Sequence, residues 1–210
     1  MPLMGRANRA DEEPAISAGW SGRLMRFGIT LINRLILTIL LPAGLSRAAD
    51  VSPSEYQLKA AFLYHFSQFV DWPPATFATS NSATDASFVI GILGDNPFGG
   101  DLEQTVHGKN LGRHALMVRE FHSLAEATNN CQILFISSSE KKRLPELIAN
   151  LGGANILTVG EAENFGEAGG MIHFVMEGTK IRFRVNEAAT QRAGLKVSAK
   201  LLSLASHTAH

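Results

Sequence analysis

Phe88-Val89-Ile90-Gly91-Ile92-Leu93 runs straight into Gly94-Asp95-Asn96-Pro97. An apolar run closed by a turn signature reads as a strand buried on both faces, because a strand with one wet face would alternate. Gln132–Ile136 and Ile156–Val159 repeat the pattern, and Leu116–Arg119 is a shorter instance. Helical stretches lie between and around them at Phe98–Val106, Ser123–Thr128 and Glu140–Leu151, the last stopped by Gly152-Gly153. Strands alternating with helices predict a single α/β domain: a mostly parallel sheet whose right-handed crossovers put helices on both faces. Met171–Met176 and Lys180–Val185 alternate polar with apolar and are joined by Glu177-Gly178-Thr179, so a C-terminal antiparallel hairpin is expected at the sheet edge. Glu187–Arg192 and Leu195–Ala205 read as helices separated at Gly194. Thr79–Ala86 is a polar loop.

The 210 residues are 45% hydrophobic and 18% charged, a globular composition. Lys+Arg and Asp+Glu both number 19, which leaves no basic excess for nucleic acid. The lone cysteine, Cys131, excludes an internal disulfide and any Cys-based zinc site.

Residues 1–48 read as a signal peptide. Arg23, Arg26 and Arg34 precede the apolar run Leu35–Leu41, Pro42 and Gly44 break the helix, and Ser46-Arg47-Ala48 is a small-residue cleavage site. A membrane anchor over Phe27–Leu45 is the alternative, but Asn33-Arg34 would sit near its centre, where charge costs about 3 kcal/mol. Met25 is an alternative start that would make residues 1–24 an N-terminal extension. The expected product, residues 49–210, keeps 13 basic and 16 acidic residues and is periplasmic.

Ser52-Pro53-Ser54-Glu55 reads as a helix start, with Ser52 as cap, Pro53 in the first helical position and Glu55 closing a capping box. Phe62, Phe66 and Phe69 then share one stripe, with Tyr56, Leu63 and Val70 on the other side, up to Trp72-Pro73-Pro74. A helix apolar on two sides needs more than one sheet to cover it. Tyr56, Leu63, Phe66 and Trp72 are therefore candidate dimer or partner contacts, unless the C-terminal helix packs over them. Arg182 and Arg184, alternating with Ile181, Phe183 and Val185, are the next candidates: a surface for an acidic partner, or an edge strand kept soluble by charge.

No catalytic, cofactor or metal residue is assigned. Gly94–Gly100 departs from both phosphate-loop patterns and carries Asp101 where the phosphate-binding lysine would stand. Ser137-Ser138-Ser139 reads as a helix cap, because no nucleophile-elbow motif surrounds it. His107, His114 and His122 lack ligand spacing, and His65 reads as a core or interface residue. Asp95, Asp101, Glu161, Glu163 and Glu167 read as solvated surface, and Cys131 as a small buried apolar residue. A small-ligand site would lie at the carboxyl ends of the strands, near Gly94–Phe98 and Ser137–Ser139.

Four segments carry a family resemblance: Glu55–Tyr64 leading to Trp72-Pro73, Ile92–Gly99, Gly169–Phe174 and Ala193–Leu202. Together they resemble the YfiR/HmsC family of periplasmic proteins. The resemblance implies a non-enzymatic, dimeric regulator that restrains the periplasmic sensor region of an inner-membrane diguanylate cyclase. It further implies control of cyclic di-GMP and biofilm, and sequestration by an outer-membrane lipoprotein. The type member's activity is tied to paired cysteines, which this chain lacks. Other family members sit beside varied signalling or transport genes, so a small-ligand sensor serving another membrane partner is the second expectation.

Overall fold

The computed structural model describes residues 53–77 and 87–206, all within the unit Val51–His210. The expectations for residues 1–48, Ser52 and Thr79–Ala86 lie outside the described residues. Along the chain the elements are α1 (Glu55–Phe69), β1 (Val70–Asp71), a 3-10 turn (Pro74–Phe77), β2 (Phe88–Leu93), α2 (Asp101–Val106), β3 (Asn110–Leu111), β4 (His114–Phe121) and α3 (Leu124–Ala127). They continue with β5 (Ile133–Ile136), a 3-10 turn (Ser138–Glu140), α4 (Leu144–Asn150), β6 (Leu157–Gly160), β7 (Ile172–Glu177), β8 (Lys180–Val185), α5 (Glu187–Arg192), β9 (Lys196–Val197) and α6 (Ala199–Leu204). Among the described residues no helix is long and apolar enough to cross a membrane.

The main sheet runs β3-β4-β2-β5-β6-β7-β8. β4, β2, β5, β6 and β7 are parallel, and β3 and β8 add antiparallel edges. The predicted α/β class, the mostly parallel sheet and the closing hairpin are all present. The pleat divides β2 and β5 between two cores. Phe88, Ile90, Ile92, Ile133 and Phe135 face a layer holding α1, α2, α5 and α6, while Leu93, Leu134 and Ile136 face α4 and residues of the α3 segment. Gly91 shares that second face. A β-carbon there would stand 2.6 Å from the Phe121 ring, so the missing side chain makes room for that ring.

Phe165 is fully buried in the loop between β6 and β7. Its ring lies between two glycines: a β-carbon on Gly160 would be 2.3 Å from one edge, and one on Gly170 2.1 Å from the other. The loop is thus keyed into the sheet by one aromatic ring that only glycines can flank.

Several boundaries differ from the sequence reading. The cap of α1 is Ser54 with Gln57, not Ser52 with Glu55: Gln57 N–H donates to Ser54 Oγ (3.2 Å) and Ser54 N–H to Gln57 Oε1 (2.9 Å). α1 ends at Phe69 rather than at the prolines, because Val70 and Asp71 pair with Val197 and Lys196 in a separate two-stranded sheet. That pairing also takes Lys196–Val197 out of the predicted C-terminal helix, which starts at Ala199 under a Ser198 cap. Glu140–Leu151 is not one helix. Pro145 is tolerated only in a first turn, so α4 begins at Leu144 and the preceding residues form a short 3-10 turn.

Cys131 is buried, with its thiol 3.3 Å from the Ala127 carbonyl oxygen. Burial pushes the thiol up to about 12, so thiolate is scarce at neutral pH. Adding reductant is expected to leave the melting temperature unchanged. Native protein should also resist alkylation that goes to completion in denaturant; rapid labelling without denaturant would contradict the buried placement.

Candidate functional site

β2 sends its crossover to β4 on one side and has β5 on the other, so the order in which strands are added reverses between β2 and β5, which remain parallel. Open α/β sheets bind ligands outside the carboxyl ends of strands at such a point. Here the turn after β2 lies against the turn after β5. Gly94 has φ +90°, and a β-carbon on it would stand 2.5 Å from Ser139 Oγ and 2.9 Å from Glu140 Cγ. Asp95 N–H donates to Ser139 Oγ at 3.0 Å. Ser137 caps the 3-10 turn that delivers Ser139, as the sequence suggests. At the expected small-ligand position, Gly94–Phe98 and Ser137–Ser139, the turns after β2 and β5 therefore touch, with Asp95, Ser138 and Ser139 exposed.

A buried ion-pair network lies beside it. Lys59, on the sheet-facing side of α1, is 4% exposed. Its ammonium donates to Glu55, one turn back on the helix, and to Glu161, just after β6. Glu161 Oε1 also accepts from Tyr56 OH at 3.2 Å and from Ser138 Oγ at 3.3 Å. The Lys59 ammonium lies 4.7 Å from the centre of the Tyr56 ring, within cation–π range. α1, the turn after β5 and the loop after β6 are thus tied together through one carboxylate. Glu161 was expected at the solvated surface; its side chain is 12% exposed, because Lys59 draws it in.

Burial lowers the proton affinity of Lys59, but hydrogen bonds and attraction from Glu161 and Glu55 outweigh it, and the ammonium is held above its ordinary 10.5. Burial and the neighbouring Glu161 raise the Tyr56 phenol above 10.0. Both groups bind their protons more tightly folded than unfolded. Their contribution is fully present below the unfolded values and is lost as pH climbs through the folded ones. Stability is expected to fall above about pH 10, and tyrosinate absorbance should show Tyr56 titrating above a tyrosine's ordinary value. Tyr56 titrating at the ordinary value, followed as the difference between the wild type and Tyr56→Phe, would contradict the network.

The sequence-predicted contact residues fall into three groups. Leu63 and Phe66 are fully buried, Phe66 packing against Phe174 and Phe183, so neither can meet a partner without opening the fold. The second apolar side of α1 is instead partly covered by α2 and α6, which answers the question the helix posed. Tyr56 and Trp72 are half-buried, Tyr56 in the Glu161 network and Trp72 donating its indole N–H to the Ser67 carbonyl (3.1 Å) with its ring edge against Phe88. Arg182 and Arg184 are exposed on β8, Arg182 3.8 Å from Glu177. The outward stripe of α1 is Leu58, His65 and Gln68, so His65 is a surface residue rather than a core one.

A groove of about 800 Å³ lies at the other end of the sheet's reach, between the Glu161–Gly170 loop, the β7–β8 hairpin and the C-terminal segment. His173 and Arg184 line it, with Glu163, Glu167 and Glu187 at its rim and Met171 and Leu202 among its apolar lining. Among the described residues no group of three or more His, Cys, Asp or Glu is placed to hold a metal ion.

The topology defines a doubly wound α/β domain with its switch point between β2 and β5. Residues 56–206 match the family model described as YfiR/HmsC-like, and the chain belongs to that family. No curated protein matches the chain.

Proposed function

We propose that this chain is a non-enzymatic periplasmic regulator. In this reading it binds and restrains the periplasmic sensor region of an inner-membrane diguanylate cyclase, and so tunes cyclic di-GMP signalling and biofilm formation. Family membership over residues 56–206 carries the reading, since the YfiR/HmsC family is regulatory and periplasmic, with membrane cyclases as partners. Export by cleavage after Ala48, a homodimer and an outer-membrane lipoprotein partner belong to the same proposal. Arg182 and Arg184 are the exposed residues offered to an acidic partner surface, with the half-buried Tyr56 and Trp72 secondary.

Capture of envelope proteins by the 49–210 protein tests this. A membrane protein carrying a cyclase domain is the expected catch, and Arg182→Glu with Arg184→Glu should cut its recovery about tenfold, as loss of charge complementarity does. Recovery of no cyclase would contradict the partner.

The groove favours a second reading, a small-ligand sensor for another membrane partner. Its lining by His173, Arg184 and apolar side chains is of the kind that orients a ligand. Envelope metabolites that raise the melting temperature of the wild type, but not of an Arg184→Gln variant, would support it.

A further inference from the structure

From Ala60 to Val70 the chain contains no Asp, Glu, Lys or Arg. Yet α1 has a solvent face over those residues: Leu58, His65 and Gln68 are exposed, and Ala61 beside them is half-buried. The outer face of a surface helix is ordinarily charged or polar. α6 widens this face. Ser198 N–H donates to the Phe69 carbonyl (3.0 Å) and Ser206 N–H to the Phe183 carbonyl (2.8 Å), while the Phe183 and Phe62 ring centres are 5.5 Å apart, so α6 runs back along α1. Leu204, more than half exposed, lies one turn beyond Lys200 on the same side of α6. We propose that a second copy of the chain docks here, the two α1 helices packing antiparallel about a two-fold axis near Ala61 and His65.

Charge selects the occupant. At the N-terminal end of α1 the Lys59 ammonium meets two carboxylates, Glu55 and Glu161, which leaves one negative charge in excess, and Glu55 is half exposed. Asp101 adds another, held by Gln57 at 3.3 Å. At the opposite end Lys196 and Lys200 outnumber Asp71. Lys200 stands 5.1 Å from the centre of the Phe69 ring and has no ion-pair partner among the described residues. A face that is acidic at one end, uncharged in the middle and basic at the other complements itself when reversed, whereas an acidic foreign segment would match one end only. Self-complementarity is what a two-fold interface requires, because the same patch serves both subunits. Reversal brings Glu55 of one copy to the Lys200 end of the other and sets the helix dipoles antiparallel. The small Ala61 at the axis lets the helices close to about 8–10 Å. A stable pair buries roughly 800 Å² per partner, more than one helix stripe about 22 Å long presents, so the Leu204 side of α6 belongs to the surface.

This inference deepens the homodimer part of the function proposed above and rests on it, while restraint of a cyclase stands or falls separately. Sedimentation over a concentration series, on the chain purified as the cell processes it, is expected to show a dimer. His65→Glu, at an exposed position, should weaken it about a hundredfold, because like charges then meet at the axis. Lys200→Glu should weaken it about tenfold, and Lys142→Glu, the same charge change on an exposed residue beside α4, should leave it unchanged. Cross-linking reads the direction of packing. Leu58→Cys chains mixed with Gln68→Cys chains should oxidise to a linked heterodimer, with far less linkage in either alone, since Cys131 is buried. A monomer at every concentration would overturn the surface and the homodimer together. A dimer indifferent to His65→Glu and Lys200→Glu, or Leu58→Cys linking to itself as readily as to Gln68→Cys, would overturn this surface and leave the homodimer standing.

Discussion

Gly170→Ala is expected to remove a large part of the protein's stability. The new methyl group would lie 2.1 Å from the Phe165 ring, and Gly160 blocks retreat on the other side. Neither the fully buried ring nor the backbone can yield cheaply, so the cost is placed at about 3 kcal/mol or more, the upper range for overpacking. That is a large part of a typical domain's stability. Gly160→Ala should behave alike. Phe165→Ala also costs about 3–5 kcal/mol, because it empties a core site. The diagnostic result is non-additivity: Gly170→Ala combined with Phe165→Leu should be more stable than Gly170→Ala by itself, since removing part of the ring removes the clash. Denaturant melts of the set decide it, and a Gly170→Ala protein with wild-type stability would show that the loop is not keyed this way.

The second large effect belongs to Lys59. Lys59→Met keeps the volume but leaves Glu161, 12% exposed, without its cation. Removing one partner of a buried pair costs about 3–5 kcal/mol; the lower figure applies here because Glu55 is half exposed and can turn to water. Adding Glu161→Gln should return the protein to within about 1 kcal/mol of wild type, as the amide oxygen still accepts from Tyr56 and Ser138 while the stranded charge is gone. A double variant no better than Lys59→Met would mean that the ammonium acts through something other than Glu161.

These two features were unequally legible in the sequence. β2 was readable from its composition, because a strand covered on both faces needs an uninterrupted apolar run. β8 and the hairpin were readable from their alternation. The start of α4 is not legible because helical periodicity runs through Pro145 from Glu140, and β9 is not because strands of two residues carry almost no pattern. The Lys59–Glu161 pair spans 102 residues, and no local rule joins them. One signal did exist: Lys59 lies on the same helical stripe as Leu63 and Phe66, and a charge on a buried stripe demands a partner. Leu63 and Phe66 looked like contact residues because a single helix cannot show that α2 and α6 will lie beside it. The ring of Phe165 could not have been placed from Gly160 and Gly170, since glycines in a loop read first as turns.

A protein that restrains cyclic di-GMP synthesis, as proposed, must change the cyclic di-GMP level of the cell, which is measured in a strain lacking the chain. The level should rise on deletion, return when the wild-type chain is restored, and stay high when the restored chain carries Arg182→Glu and Arg184→Glu. A level unchanged by deletion would contradict the account.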